Sequence, residues 1–184
     1  MSLRHAVAAL GLIFGVSLVA SGSSAQSVGT DSRAAFFEAV AGLCAVGFEG
    51  AMSFPDDPEH AFAGKLLVAQ IAECSPSEIR IPFAVGEDRS RTWILSLGEA
   101  GLLLKHDHRH ADGTPDEITM YGGWATEGGT ALTQSFPADE ATAELIPAAA
   151  TNVWTLALAA DGSSLTYSLE RHGEPRFAAT LRRR

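Results

Sequence analysis

From Trp154 to Leu169 every second residue is large and apolar on either side of a single break at Asp161-Gly162. A period of two describes strands with one buried face, and Asp-Gly between two such runs is a preferred two-residue hairpin connection. Registered on that turn, Leu158 pairs with Leu165, Leu156 with Tyr167 and Trp154 with Leu169, which leaves Thr155, Ala157, Thr166 and Ser168 opposite. One face is wholly apolar and is therefore the core face. A chain carrying this hairpin is committed to antiparallel sheet.

The same signature, short apolar alternations broken by Gly, Pro and Asp, fills the chain from Gly47 onward. It predicts strands near 47–53, 65–73, 78–85, 91–97, 102–110, 117–121, 130–136, 152–159, 164–171 and 176–182. The loop Gly98 to Gly101 pairs Leu97 with Leu102, Leu95 with Leu104 and Trp93 with His106; the loop Gly86 to Ser90 pairs Ile79 with Leu97, Ile81 with Leu95 and Phe83 with Trp93. Gly122 and Gly123 read as a bulge or turn. Asp31 or Ser32 can cap a helix that carries Phe36, Val40 and Leu43 on one face and ends near Cys44. A short helix fits 138–146, with Pro137 in its first turn, Asp139 and Glu140 at its start and Pro147 closing it. Nine or ten strands in sequence with one apolar face predict a mainly β, antiparallel up-and-down meander closed into a lipocalin-like barrel, with a β-sandwich as the alternative. Closure removes the exposed edges that an open meander must otherwise protect.

Ahead of this body, Arg4 precedes an apolar or small stretch from Ala6 to Ala20, followed by small residues at Ser23 and Ala25. That layout predicts a secretory signal peptide over 1–25, a disordered start over 26–30 and one domain over 31–184, with no membrane insertion once the leader is cleaved. Arg4 is the only charged residue of the leader, so 12 of the 13 basic and all 22 acidic residues lie beyond it, a net charge of −10. Such a chain repels phosphate backbones and carries no basic stripe, which excludes nucleic acid as a partner. Export would deliver Cys44 and Cys74, the only cysteines, to a compartment where disulfides persist, so they are expected to pair, worth about 3 kcal/mol.

The unusual chemistry is concentrated in KHDHRHADGTPD, residues 105–116. Continuing the inward face of Leu102 and Leu104 points His106, His108 and His110 into the barrel and Asp107 and Arg109 out of it. The register sets Arg91 opposite His108. Arg91, Trp93, His106, His108 and His110 are therefore the candidate ligand-binding residues, a polar rim over an apolar floor. A three-residue loop would add Ile118 and Met120 to that face, and a four-residue loop Glu117, Thr119 and Tyr121. Neutral imidazole suits a transition metal, so His106 and His108 are candidate metal ligands. His106 and His110, roughly 13 Å apart at strand rise, cannot share one ion, and His60, His172 or Glu117 would have to complete the shell. The other use of the rim is an anionic or haem-like ligand whose apolar part enters past Trp93. The same histidines could equally form a satisfied polar layer. No GxSxG elbow, phosphate loop or CxxC supports catalysis.

The runs KHDHRHADGTPDEITMYGG, TQSFPAD and NVWTL resemble segments shared by a family of uncharacterised exported bacterial proteins, over about Phe36 to the C-terminus. The resemblance implies export and a shared fold, and assigns no catalytic role. The chain thus reads as an exported small-ligand or metal-binding barrel. The alternative from another class is a periplasmic protein-binding or inhibitor module that uses the loops 86–91 and 111–116 as its contact surface.

Overall fold

Consecutive strands pair in order along nearly the whole chain, and the last strand returns to the first. The computed structural model describes residues 31–184 together with Met1; the expected signal peptide and the disordered start lie outside the described residues. The strands are β1 Gly47–Phe54, β2 Leu67–Gln70, β3 Glu73–Cys74, β4 Glu78–Val85, β5 Asp88–Gly98, β6 Gly101–His108, β7 Tyr121–Trp124, β8 Thr133–Pro137, β9 Asn152–Leu158, β10 Ser164–Arg171 and β11 Glu174–Arg183. They form one antiparallel sheet in the order β7-β6-β5-β4-β2-β1-β11-β10-β9-β8, with β3 attached to β4. The sheet is nearly closed into a barrel. Inside lie Phe48, Leu67, Ile79, Ile81, Leu95, Leu102, Leu104, Leu156 and Leu181, all essentially without solvent contact.

The seam falls between β7 and β8, and Gly123 is what lets it form, while Gly122 allows the close approach to β6 on the other side. A Cβ on Gly123 would stand 1.7 Å from the Pro137 carbonyl oxygen, and one on Gly122 2.0 Å from that of Leu104. With no Cβ in the way, Asp139 N donates to Gly122 O at 2.9 Å and Thr126 N to Ser135 O at 3.0 Å across the gap. The buried Thr142 hydroxyl accepts from Gly122 N and donates to Gly122 O, at 2.7 and 2.8 Å. Gly122 and Gly123 are therefore strand residues at a close approach, not the expected turn or bulge.

Helix α1, Ser32–Ala41, is capped by the Asp31 carboxylate, which accepts from Arg33 N, and buries Phe36, Phe37 and Val40. It plugs one end of the barrel: Arg33 lies against Gly101 in the β5–β6 turn, Leu43 against Gly162 in the β9–β10 turn, and Ser32 Oγ is 3.4 Å from Gln134 Nε2 on β8. Cys44 and Cys74 form a disulfide that fastens the segment after the helix to β3. Helix α2, Glu140–Leu145, starts from Asp139, whose Oδ1 accepts from Thr142 N; Pro137 instead ends β8, and Pro147 opens a single 3-10 turn.

Several expected boundaries move. The strand expected over 65–73 splits into β2 and β3, and that expected over 117–121 begins only at Tyr121. The β4–β5 hairpin turns at Gly86-Glu87 with a bulge between Phe83 and Val85, so Ile79 pairs with Leu95, Ile81 with Trp93 and Phe83 with Arg91. That register differs from the expected one by two residues, an even number, which keeps every side chain on its expected face. The β5–β6 and β9–β10 registers are as expected.

Candidate functional site

Opposite the helix plug the barrel is open. The mouth holds a cavity of about 420 Å³, within the range of small-molecule sites. Its walls are largely aromatic: Phe62, Tyr121, Trp154, Tyr167 and Phe177, with Leu169 beside them. Its polar groups are His60, His108, Asp116, Asn152 and Arg171. Each inward strand reaches this end by its own alternation. On β9 Asn152 follows from Leu156 and Trp154, and on β10 Arg171 follows from Tyr167 and Leu169.

Below the mouth, His106 is 3 % exposed and belongs to the floor rather than the rim. Its ring stacks on Tyr121 at 4.7 Å between centroids and lies 5.1 Å from Trp154. Nδ1 is 3.1 Å from the Tyr121 carbonyl oxygen, which can only accept, so Nδ1 carries the proton. Nε2 is then the acceptor for the Tyr167 hydroxyl at 2.9 Å. Burial pushes the imidazole pKa down to about 3, so His106 is neutral, and it pushes the Tyr167 phenol well up. Both ring nitrogens are spent, and His106 has no lone pair to offer a metal.

His108, half-buried at the rim, places Nε2 3.0 Å from the Tyr121 hydroxyl. Burial lowers its pKa, with the Arg91 charge acting in the same direction, while burial raises the Tyr121 phenol to about 12. Arg91 pairs with His108 across the strands as expected, bonds Asp88 and sets its guanidinium 5.5 Å from the Phe62 ring. That ring belongs to the segment 55–66, which crosses the mouth. There His60 Nδ1 accepts from Phe62 N at 3.1 Å and the imidazole stacks on Phe177.

Of the five residues expected to line the site, His108 is part of the cavity wall and Arg91 stands beside it. Trp93 lies deeper, stacked between Phe83 and Tyr167 at 4.4 Å from each. The row of three inward histidines is a row of two. β6 ends at His108, and a turn held by His110 N to Thr114 O and Asp116 N to His108 O leaves His110 exposed. Asp107 does face out of the barrel, yet it is buried under this loop, bonded by Arg109 Nε and Thr119 Oγ1. Of the residues offered by the alternative loop lengths, Tyr121 joins His106 on the inner face, and Ile118, outside any strand and largely exposed, also lines the cavity. Among the described residues no three His, Cys, Asp or Glu side chains converge on a common point suited to a metal ion. His172, at the β10–β11 turn, bonds Thr151 and is no part of the mouth.

Arg171, Asn152 and Tyr167 were missed as site residues, although the β9–β10 hairpin already carried the signal. Extending its register by one more inward pair sets Asn152 opposite Arg171. The wall contributed by 55–66 had no such signal, because no strand pattern runs through it. The loops 86–90 and 109–116 lie side by side, tied by Arg109 N to Ser90 O at 2.8 Å, and a bridge between Arg109 and Pro115 closes the second loop on itself.

No family model matches this chain, and neither a curated protein nor a solved structure is significantly similar to it.

Proposed function

We propose that this protein is an exported carrier or receptor that holds a small, largely apolar ligand in the mouth of its barrel. The observation that carries the reading is the arrangement of the two ends: one is stoppered by α1, and the other opens on a cavity of about 420 Å³ walled by aromatic rings. An apolar wall with a few convergent polar groups is the usual make-up of a small-molecule site. Export and the kinship with exported bacterial proteins belong to the same proposal. Export is supported by the disulfide and by the signal-like leader sequence, and the kinship rests on the sequence runs 105–123, 133–139 and 152–156. A bare transition-metal ion has less to hold it: His106 is spent on its neighbours, and His108 is one imidazole where such an ion needs more than one protein ligand.

Titration with the neutral fluorophore N-phenyl-1-naphthylamine tests the reading. Saturable enhancement of its emission at one site per chain is expected. Leu169→Glu, which puts a charge on the cavity wall, is expected to abolish it with the β circular-dichroism signal intact. Absence of saturable binding, or binding indifferent to Leu169→Glu, overturns the reading and favours a protein-binding module built on the loops 86–91 and 111–116.

A further inference from the structure

Arg171 is the cation of the mouth that, among the described residues, has no counter-ion. Among the described residues it forms no salt bridge. Its one side-chain hydrogen bond runs from Nε to Asn152 Oδ1 at 2.7 Å. Asn152 is itself 4 % exposed, so the guanidinium is steered by a buried amide on the neighbouring strand rather than left to wander on the surface. The bond spends one edge of the fork. Nη1 and Nη2 make no hydrogen bond among the described residues, and the side chain lines the cavity. Arg91, by contrast, is already satisfied by Asp88 and Phe62.

Two further groups fix the polarity of a guest. The Tyr167 hydroxyl gives its proton to His106 Nε2, so toward the cavity it can only accept. His60 accepts from Phe62 N on Nδ1, so the neutral ring carries its proton on Nε2 and can donate. The aromatic rings of Trp154, Tyr167 and Phe177 line the cavity with them, an apolar wall that suits an aromatic guest.

We infer that the ligand is a flat aromatic or polycyclic monocarboxylic acid whose carboxylate is held by the Nη1 and Nη2 donors of Arg171 and whose ring system rests against the aromatic wall of Trp154, Tyr167 and Phe177. Guanidinium matches a carboxylate in plane and in donor spacing, and a charge-assisted pair of this kind is about twice as strong as a neutral one. A doubly charged phosphate fits less well. One edge of the fork is already used, and Asp116, which also lines the cavity, repels a second negative charge.

The inference rests on the ligand-binding reading, and the test separates the two. Three probes of one shape are titrated: 1-naphthaleneacetate, the uncharged 1-naphthaleneacetamide and the cationic 1-naphthylmethylammonium. The acetate is expected to bind roughly tenfold or more tighter than the amide, a single charge-assisted contact. Because a guanidinium does not titrate, the preference should persist from pH 6 to pH 9. Arg171→Gln is expected to erase the preference by weakening the acetate far more than the amide, and Arg91→Gln to retain it. Equal binding of acetate and amide by the native protein, tightest binding of the ammonium, or loss of the preference in Arg91→Gln with retention in Arg171→Gln overturns the inference. If N-phenyl-1-naphthylamine binds while the acetate shows no advantage, the inference fails and the ligand-binding reading stands; if neither binds, both fail.

Discussion

The Tyr167 hydroxyl and His106 Nε2 share a 2.9 Å hydrogen bond in which tyrosine is necessarily the donor, because the far nitrogen of the ring is committed to the Tyr121 carbonyl. Three strands, β6, β7 and β10, are locked by those two contacts at the depth where apolar core gives way to the mouth. Removing the hydroxyl strands a buried acceptor. Tyr167→Phe keeps the ring against Trp93 and is expected to cost about 1–2 kcal/mol, the penalty of leaving that nitrogen unpaired. Urea unfolding at pH 7 measures it; a change under a few tenths would show that water replaces the phenol.

The same imidazole ties stability to pH. The folded pKa of His106, about 3, lies below the ordinary 6.5. The unfolded chain therefore takes up a proton between the two values while the folded chain does not. Stability from this group is complete above pH 6.5 and falls as pH drops toward 3, by up to about 1.4 kcal/mol per pH unit. His108, shifted in the same direction, adds to the slope near pH 6. His106→Gln, which does not titrate, is expected to flatten the profile between pH 6.5 and 5. An unchanged slope in that variant would place the proton uptake elsewhere.

The β4–β5 hairpin shows why face was easier to read than register. A turn tighter than expected displaced the pairing by three residues and the bulge took one back, and period two made the remaining shift of two invisible to every inward side chain. The histidine row failed for the opposite reason. Alternation carries a strand forward until a turn stops it, and the sequence ADGTPD could be seen as a turn without showing that its hydrogen bonds already begin at His108. The glycine pair was misjudged because its purpose is non-local: what forbids a side chain at Gly123 is the Pro137 carbonyl, fourteen residues on. Asn152 and Arg171 lay one register step beyond a hairpin that was paired correctly, and were legible.

The disulfide should matter to the plugged end more than to the open one. Cys44 and Cys74 close a loop of 30 residues that contains β1, β2 and the segment crossing the mouth. Cys44→Ser with Cys74→Ser is expected to lose about 3 kcal/mol, the loop-closure contribution for this length. Because the link lies next to α1, amide exchange in 32–46 should speed up before exchange in β9 and β10 does. Uniform acceleration across the chain would mean that the plug has no stability of its own to lose.

Closure of the barrel depends on two strands approaching backbone to backbone, and that makes Gly123 the position least able to accept a side chain. A methyl group there would sit 1.7 Å from the Pro137 oxygen and 3.0 Å from Asp139 N, both main-chain atoms that cannot rotate away. The seam must part to admit it. Parting breaks the Asp139 N to Gly122 O bond and pulls the Lys105–Asp139 ion pair and the Thr142 clasp with it. Gly123→Ala is therefore expected to destabilise by more than about 2 kcal/mol, in the range of a buried network broken together with a backbone clash. Ala138→Gly, beside the clash, supplies flexibility without removing it and should rescue little. Unfolding midpoints of the single and double variants decide the matter: a Gly123→Ala protein as stable as the native one would show that β7 and β8 do not hold each other.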